Sequence, residues 1–130
     1  GLAYVLTSFD NSPGENNTDL NWEVWSADSV LEARKDGQSV FVDYTAAWCI
    51  TCQVNKALVL DDQDVLRKFE ENKVLMFRAD WTSRDPSITQ SLTGLGRSGV
   101  PVYVYYPPDN GVPLLLSEIL TKKEIFALFD

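Results

Sequence analysis

Six residues, Val40-Phe41-Val42-Asp43-Tyr44-Thr45, make a β-branched and aromatic run that is apolar on both faces except for one carboxylate. Such a run reads as a strand buried on both sides, which belongs in a sheet covered by helices on both faces. After three intervening residues comes a Cys-x-x-Cys pair, Cys49-Ile50-Thr51-Cys52, and then helix-compatible sequence through Gln53 to about Leu58. A buried strand, a dithiol and a helix, in that order, point to an α/β fold with the cysteines at the C-terminal end of a strand.

The other elements agree with an α/β chain. Ser26 caps a helix that runs to Ala33 or Lys35 and stops at Gly37. Residues 62–71 carry Val65, Leu66 and Phe69 on one helical face. Residues 74–79 form a second buried strand. Asp85 caps a helix with Pro86 at its first position, carrying Ile88, Leu92 and Leu95 and ending near Gly94, Gly96 and Gly99. Residues 102–106 and 114–119 are strands joined through the Pro107-Pro108-Asp109-Asn110-Gly111 turn as a hairpin. Thr121 and Glu124 form a capping box, and Leu120 and Ile125 a hydrophobic staple, for a last helix that starts at about Lys122 and buries Ile125, Phe126 and Phe129. The order α-β-α-β-α-β-β-α implies parallel crossovers and an antiparallel edge. A central mixed sheet of about four strands flanked by helices is therefore expected over residues 22–130.

Residues 1–21 are expected to be an N-terminal extension or linker. Positions 10–21 are rich in Asn, Asp, Gly and Pro, and the Asn16-Asn17-Thr18 sequon is taken as chance in so Asn-rich a stretch. Gly1 to Phe9 is apolar but short. It lacks the basic start and cleavage site of a signal peptide, and reads as the start of an excised domain or the tail of a preceding hydrophobic segment. No stretch reaches the roughly 18 apolar residues that span a bilayer.

Charge and composition narrow the chemistry. The net charge of −8 argues against nucleic-acid binding and against docking on an anionic membrane. With two cysteines and no histidine, a zinc site is not expected, and Ser-His and Cys-His hydrolase mechanisms are removed. There is no phosphate-binding glycine motif, so no nucleotide, flavin or other small-molecule cofactor is expected.

The cysteine pair carries the chemistry. A helix N-terminus stabilises a thiolate and makes it a nucleophile near neutral pH, and the two-residue spacing lets the second sulfur attack a mixed disulfide on the first. Cys49 is assigned as the exposed attacking thiol and Cys52 as the buried resolving thiol. The alternative, an inert bridge, gains little from so short a loop. Asp43 is either a general base for Cys52, its pKa raised by burial, or a carboxylate tolerated in a solvated gap. Trp48 is either a partner-contact surface or core. Trp81, Tyr103, Tyr105 and Tyr106 are assigned to core and sheet packing. The Val100–Pro101 bond, on base rates alone, is an ordinary trans bond. Ile50-Thr51 places no cation inside the motif, which inclines the site away from strong oxidation.

VFVDYTAAWCITC closely resembles the thioredoxin active-site stretch, and GVP resembles the cis-proline loop of that superfamily. TAAWCITCQVNK, GRSGVPVYVYYPP and ILTKKEIFALF together resemble the C-terminal periplasmic domain of the DsbD family, the transmembrane thiol:disulfide interchange proteins, from about Trp22 to the end. The resemblance implies a thioredoxin-like fold and a monomeric soluble domain of an inner-membrane protein, lying in the bacterial periplasm. It implies that the Cys49–Cys52 disulfide is the only redox group. That disulfide is reduced by a cysteine pair in the transmembrane domain, with electrons ultimately from cytoplasmic thioredoxin. The domain then reduces a periplasmic thiol protein serving disulfide isomerases or cytochrome c maturation.

Carried over to this chain, Cys49 is the nucleophile, Cys52 resolves, Asp43 tunes protons, Pro101 is the cis proline and Val100 offers its backbone to a substrate strand. Trp48, Ile50, Thr51 and Lys56 support the site. Ala47 and Lys56 stand where relatives often carry acids, which favours the thiolate here. A free-standing thioredoxin-like reductase and a redox-inert binding module of the same fold are the competing functions.

Overall fold

The computed structural model describes residues 21–130. The expected extension, with its apolar start and its sequon, lies outside the described residues except for Asn21. In chain order the elements are β1 (Glu23–Val24), α1 (Ala27–Lys35), β2 (Val40–Thr45) and α2 (Ile50–Asn55), which continues into a π-helical turn (Lys56–Leu60). Then follow α3 (Gln63–Glu71), β3 (Leu75–Asp80), α4 (Pro86–Gly94), β4 (Val102–Tyr106), β5 (Leu114–Leu115) and α5 (Lys122–Ala127).

The strands form one mixed sheet in the order β1-β3-β2-β4-β5. β1 and β2 run parallel to β3, while β4 is antiparallel to both β2 and β5. β2 is central, and all six of its residues are buried. Its pleat sends Val40, Val42 and Tyr44 to one side, where they pack with Val30 of α1 and Ile88 and Leu92 of α4. Phe41 goes to the other side with Val59, Leu60, Val65, Phe69, Tyr103 and Ile125. Each fully buried large apolar side chain contributes on the order of 1.5–3 kcal/mol. Phe41, against Phe69 at 5.0 Å, anchors the face on which the cysteine helix rests.

The structure differs from the sequence expectation in four places. The sheet has a fifth strand, β1, whose two residues have exposed side chains and so carry no hydrophobic period; a Trp25 N–H to Arg78 C=O bond of 3.0 Å helps hold it to β3. The expected strand 114–119 is only Leu114–Leu115, because Asn55 of α2 takes the backbone of Glu118 and Leu120 and draws the chain off the sheet. The cysteine helix begins at Ile50, with Cys49 as its N-cap, and passes through a π turn closed by Asp61 N–H to Lys56 C=O at 2.8 Å. The capping box is half made: Thr121 Oγ1 accepts from Glu124 N–H, but the Glu124 carboxylate accepts from Ser117 instead of returning to its own helix start. The staple residues Leu120 and Ile125 are both buried, while Phe126 and Phe129 are half-buried against the same core.

Candidate active site

The site lies at the C-terminal end of β2. Ala46 C=O accepts from Cys49 N–H at 3.1 Å and from Gln53 Nε2 at 2.9 Å, closing the turn from strand to helix. Cys49 holds extended backbone as the N-cap, and its Sγ accepts the Cys52 N–H at 3.1 Å. The two cysteines are joined as a disulfide with Cα atoms 5.2 Å apart, inside the ordinary range. Cys49 is 8% exposed and Cys52 1%. Cys49 is the more accessible of the two, but with the bridge closed it is buried rather than the exposed thiol expected.

Ala46 and Val100 pack against the pair. The Val100–Pro101 peptide is cis, as the resemblance implied and base rates did not. Ile50 and Trp48 project outward, at 79% and 47% exposure, and Thr51 is half-buried. The Trp48 indole N–H donates to Thr82 C=O at 3.0 Å, and Thr82 Oγ1 accepts the Ala47 N–H at 2.8 Å, so the β3–α4 loop clasps the residues before the nucleophile. Trp48 is thus exposed surface rather than core. Trp81 is buried as expected, yet its ring centroid lies 6.0 Å from that of Trp48.

Asp43 is 1% exposed, which disposes of the solvated gap. It shares the pleat direction of Phe41, hence the face covered by α2. Its neighbour across the parallel ladder is Arg78, whose Nε donates to Asp43 Oδ2 at 2.9 Å. Oδ1 accepts no hydrogen bond among the described residues. Burial is the largest influence and drives the Asp43 pKa up. The Arg78 charge and hydrogen bond, and the Lys56 charge, pull it down, and the net direction is upward.

Opposite Asp43 on β4 is Tyr103, whose Oη accepts from Asn55 Nδ2 at 2.9 Å. Asn55, one turn beyond Cys52, also donates to Glu118 C=O and accepts from Leu120 N–H, so three hydrogen bonds pin the cysteine helix over the acid. Arg78 and Asn55 were missed in the sequence. An Arg within an otherwise apolar strand was a usable signal once a second strand carried a lone Asp; Asn55 had none. Among the described residues no group of three or more His, Cys, Asp or Glu could hold a metal ion, and no helix is long and apolar enough to cross a membrane.

Comparison with known proteins places this geometry. An 80-residue stretch is 31% identical to thiol:disulfide interchange protein DsbD 1 of Pseudomonas aeruginosa, covering 62% of this chain and 13% of that protein, so the chain spans a small part of that relative's length. The crystal structure of the C-terminal domain of DsbD from Neisseria meningitidis, in the reduced form, superposes with a TM-score of 0.61 at 20% identity over 75% of this chain and 84% of that one. Chloroplastic thioredoxin z gives 0.64 at 22% identity over 83% and 90%. At these identities the structural likenesses carry the fold. Residues 21–108 match the family model described as thioredoxin-like; since that is well over half of the 130 residues and takes in both the cysteine pair and the cis proline, the chain belongs to the thioredoxin-like family.

Proposed function

We propose that this domain is a thiol–disulfide oxidoreductase that takes electrons from a membrane-embedded cysteine pair and passes them to disulfides of periplasmic thiol proteins. The observation that carries the exchange chemistry is the closed Cys49–Cys52 bridge at a helix N-terminus, with Cys49 the more accessible residue of the two. The relay and its compartment rest on the likeness to DsbD.

In the reduced domain the Cys49 thiolate attacks one sulfur of the partner disulfide. The Cys49–partner bond forms, the partner's bond breaks, and its second sulfur leaves as thiolate. Cys52 then loses its proton and attacks Cys49 Sγ. The intramolecular bridge forms, the Cys49–partner bond breaks and the partner sulfur first attacked leaves as thiolate, so two electrons pass from domain to partner. Asp43, with its raised pKa, is the acceptor for the Cys52 proton. Val100, against the cysteines and before the cis bond, offers its backbone to the partner strand. Trp48, Ile50 and Thr51 frame the approach, and Lys56 adds positive charge behind the pair.

The test is the Cys49–Cys52 reduction potential, measured by equilibration in glutathione or dithiothreitol buffers. A value near thioredoxin's, about −270 mV or somewhat above, supports a reductase. A value near about −120 mV would reverse the direction, and a pair that does not cycle would leave a binding module.

A further inference from the structure

Among the described residues Arg84 has no charge partner, and it stacks on the tryptophan that precedes the nucleophile in the chain. Its guanidinium lies 4.8 Å from the centroid of the Trp48 ring and 5.1 Å from that of Trp81. Both indoles are fixed by their own N–H groups, Trp48 to Thr82 C=O and Trp81 to Thr89 Oγ1 at 2.8 Å. Arg84 has left-handed backbone, φ 55°, held by its N–H to Trp81 C=O at 2.9 Å. A residue with a Cβ disfavours that conformation, so the loop sustains a cost in placing this side chain on the two rings.

No described carboxylate pairs with it. The nearest acids in the chain, Asp80 and Asp85, are engaged by Thr82 and by Ser87. Arg84 is exposed, so the guanidinium that lies over the rings keeps N–H donors at its solvent-facing edge, the geometry that suits a carboxylate. Asp80 and Asp85 lie on the loop side of Arg84, while the cysteine side carries no acid. The chain carries net charge −8, yet from Tyr44 through Leu60 there is no acid. Charges beyond the screening distance of about 8 Å count for little at physiological salt, so a docking partner meets this local patch rather than the net charge.

We propose that Arg84, preorganised on Trp48 and Trp81, selects partner polypeptides that carry a carboxylate next to the disulfide to be reduced. The proposal rests on the dithiol-exchange function above. Trp48 immediately precedes Cys49, so a partner whose sulfur reaches Cys49 lies alongside the stacked guanidinium. An acid flanking the partner cysteine then forms a pair that a neutral or basic flank lacks, and the pair acts through encounter and register.

The experiment mixes the fully reduced domain at low salt with three probes. Two are synthetic disulfide peptides that differ only in having Glu or Lys beside one cysteine; the third is uncharged hydroxyethyl disulfide, to which the peptide rates are normalised. The Glu peptide is expected to react about fivefold faster than the Lys peptide, the scale of an exposed ion pair, with the ratio falling toward one in high salt. Arg84→Met keeps an apolar stem on the rings and should bring the ratio to about one. Arg84→Glu should invert it, and Arg84→Lys should retain part of it. A ratio of one in the wild type, or a ratio unmoved in Arg84→Met and Arg84→Glu, overturns the proposal while exchange with hydroxyethyl disulfide leaves the oxidoreductase intact. Failure to reduce even hydroxyethyl disulfide overturns both.

Discussion

Asp43→Asn in the oxidised domain removes one buried carboxylate while keeping its shape, and with the cysteines bridged no thiol titration intrudes. Burial outweighs Arg78 and Lys56, so the folded-state pKa of Asp43 lies above its ordinary 3.8. In the unfolded chain the group titrates at that ordinary value. Between the two, the folded protein holds a proton that the unfolded chain has released. Stability therefore falls as pH rises through this window, by at most about 1.4 kcal/mol per pH unit, and is level above it. Asn does not titrate, and its exchange of a charged for a neutral partner to Arg78 shifts stability by an amount that does not vary across the window. Acids remote from Asp43 contribute alike to both proteins; Asp61, whose charge helps raise Asp43, is the near one.

The stability of Asp43→Asn minus that of wild type should thus climb from about pH 4 and flatten at the folded pKa of Asp43. Urea unfolding of both oxidised proteins, at intervals from about pH 4 to about pH 9, reads the curve. Above the flattening point Asp43 is ionised, the form that can accept the Cys52 proton once the bridge has been reduced. A difference that falls with rising pH would mean that the 2.9 Å Arg78 pair dominates. Asp43 would then lie below its ordinary range and would be too weak a base for the role assigned to it.

Two further outcomes test the charge and order of the site. Lys56→Glu removes a cation that lowers Asp43 and places an anion behind the cysteine helix. It should reduce the Cys49 thiolate fraction at neutral pH about threefold, read as the rate of iodoacetamide alkylation, equivalent to roughly half a pKa unit; an unchanged rate against pH would refute the electrostatic account of Lys56. Cys52→Ser should trap the mixed disulfide on Cys49, and Cys49→Ser should trap none, as seen by mass spectrometry after addition of a disulfide peptide; the reverse would exchange the two roles.

Features decided by neighbours along the chain were legible in the sequence. Ser26, Asp85 and Thr121 cap their helices as read, since a cap needs only a short polar side chain and the next turn. β2 and the cysteine pair were legible because burial on both faces is written in one continuous run. What escaped depends on register between distant segments. β1 exists only through its pairing with β3. Asp43 and Arg78 meet because parallel pairing sets them side by side, 35 positions apart. Glu124 had a local partner by rule and took Ser117 instead, once the short β5 released that loop.

Asn55 is the extreme case, because nothing around it in the sequence marks it. It is buried only because α2 crosses the sheet above Tyr103, and it then joins α2, β4 and the 118–120 loop at one point. Asn55→Ala would leave Tyr103 Oη, Glu118 C=O and Leu120 N–H without that partner, and the Leu120 donor is buried. At about 1 kcal/mol for each hydrogen bond, with more for a group left buried, the loss should be about 3 kcal/mol in urea unfolding. Tyr103 sits across from Asp43, so the same variant should also shift the pH at which the Asp43→Asn difference curve flattens. A loss of stability with that pH unmoved would make Asn55 a clamp for the fold alone, and stability equal to wild type would mean that the three bonds are replaced by water at no cost.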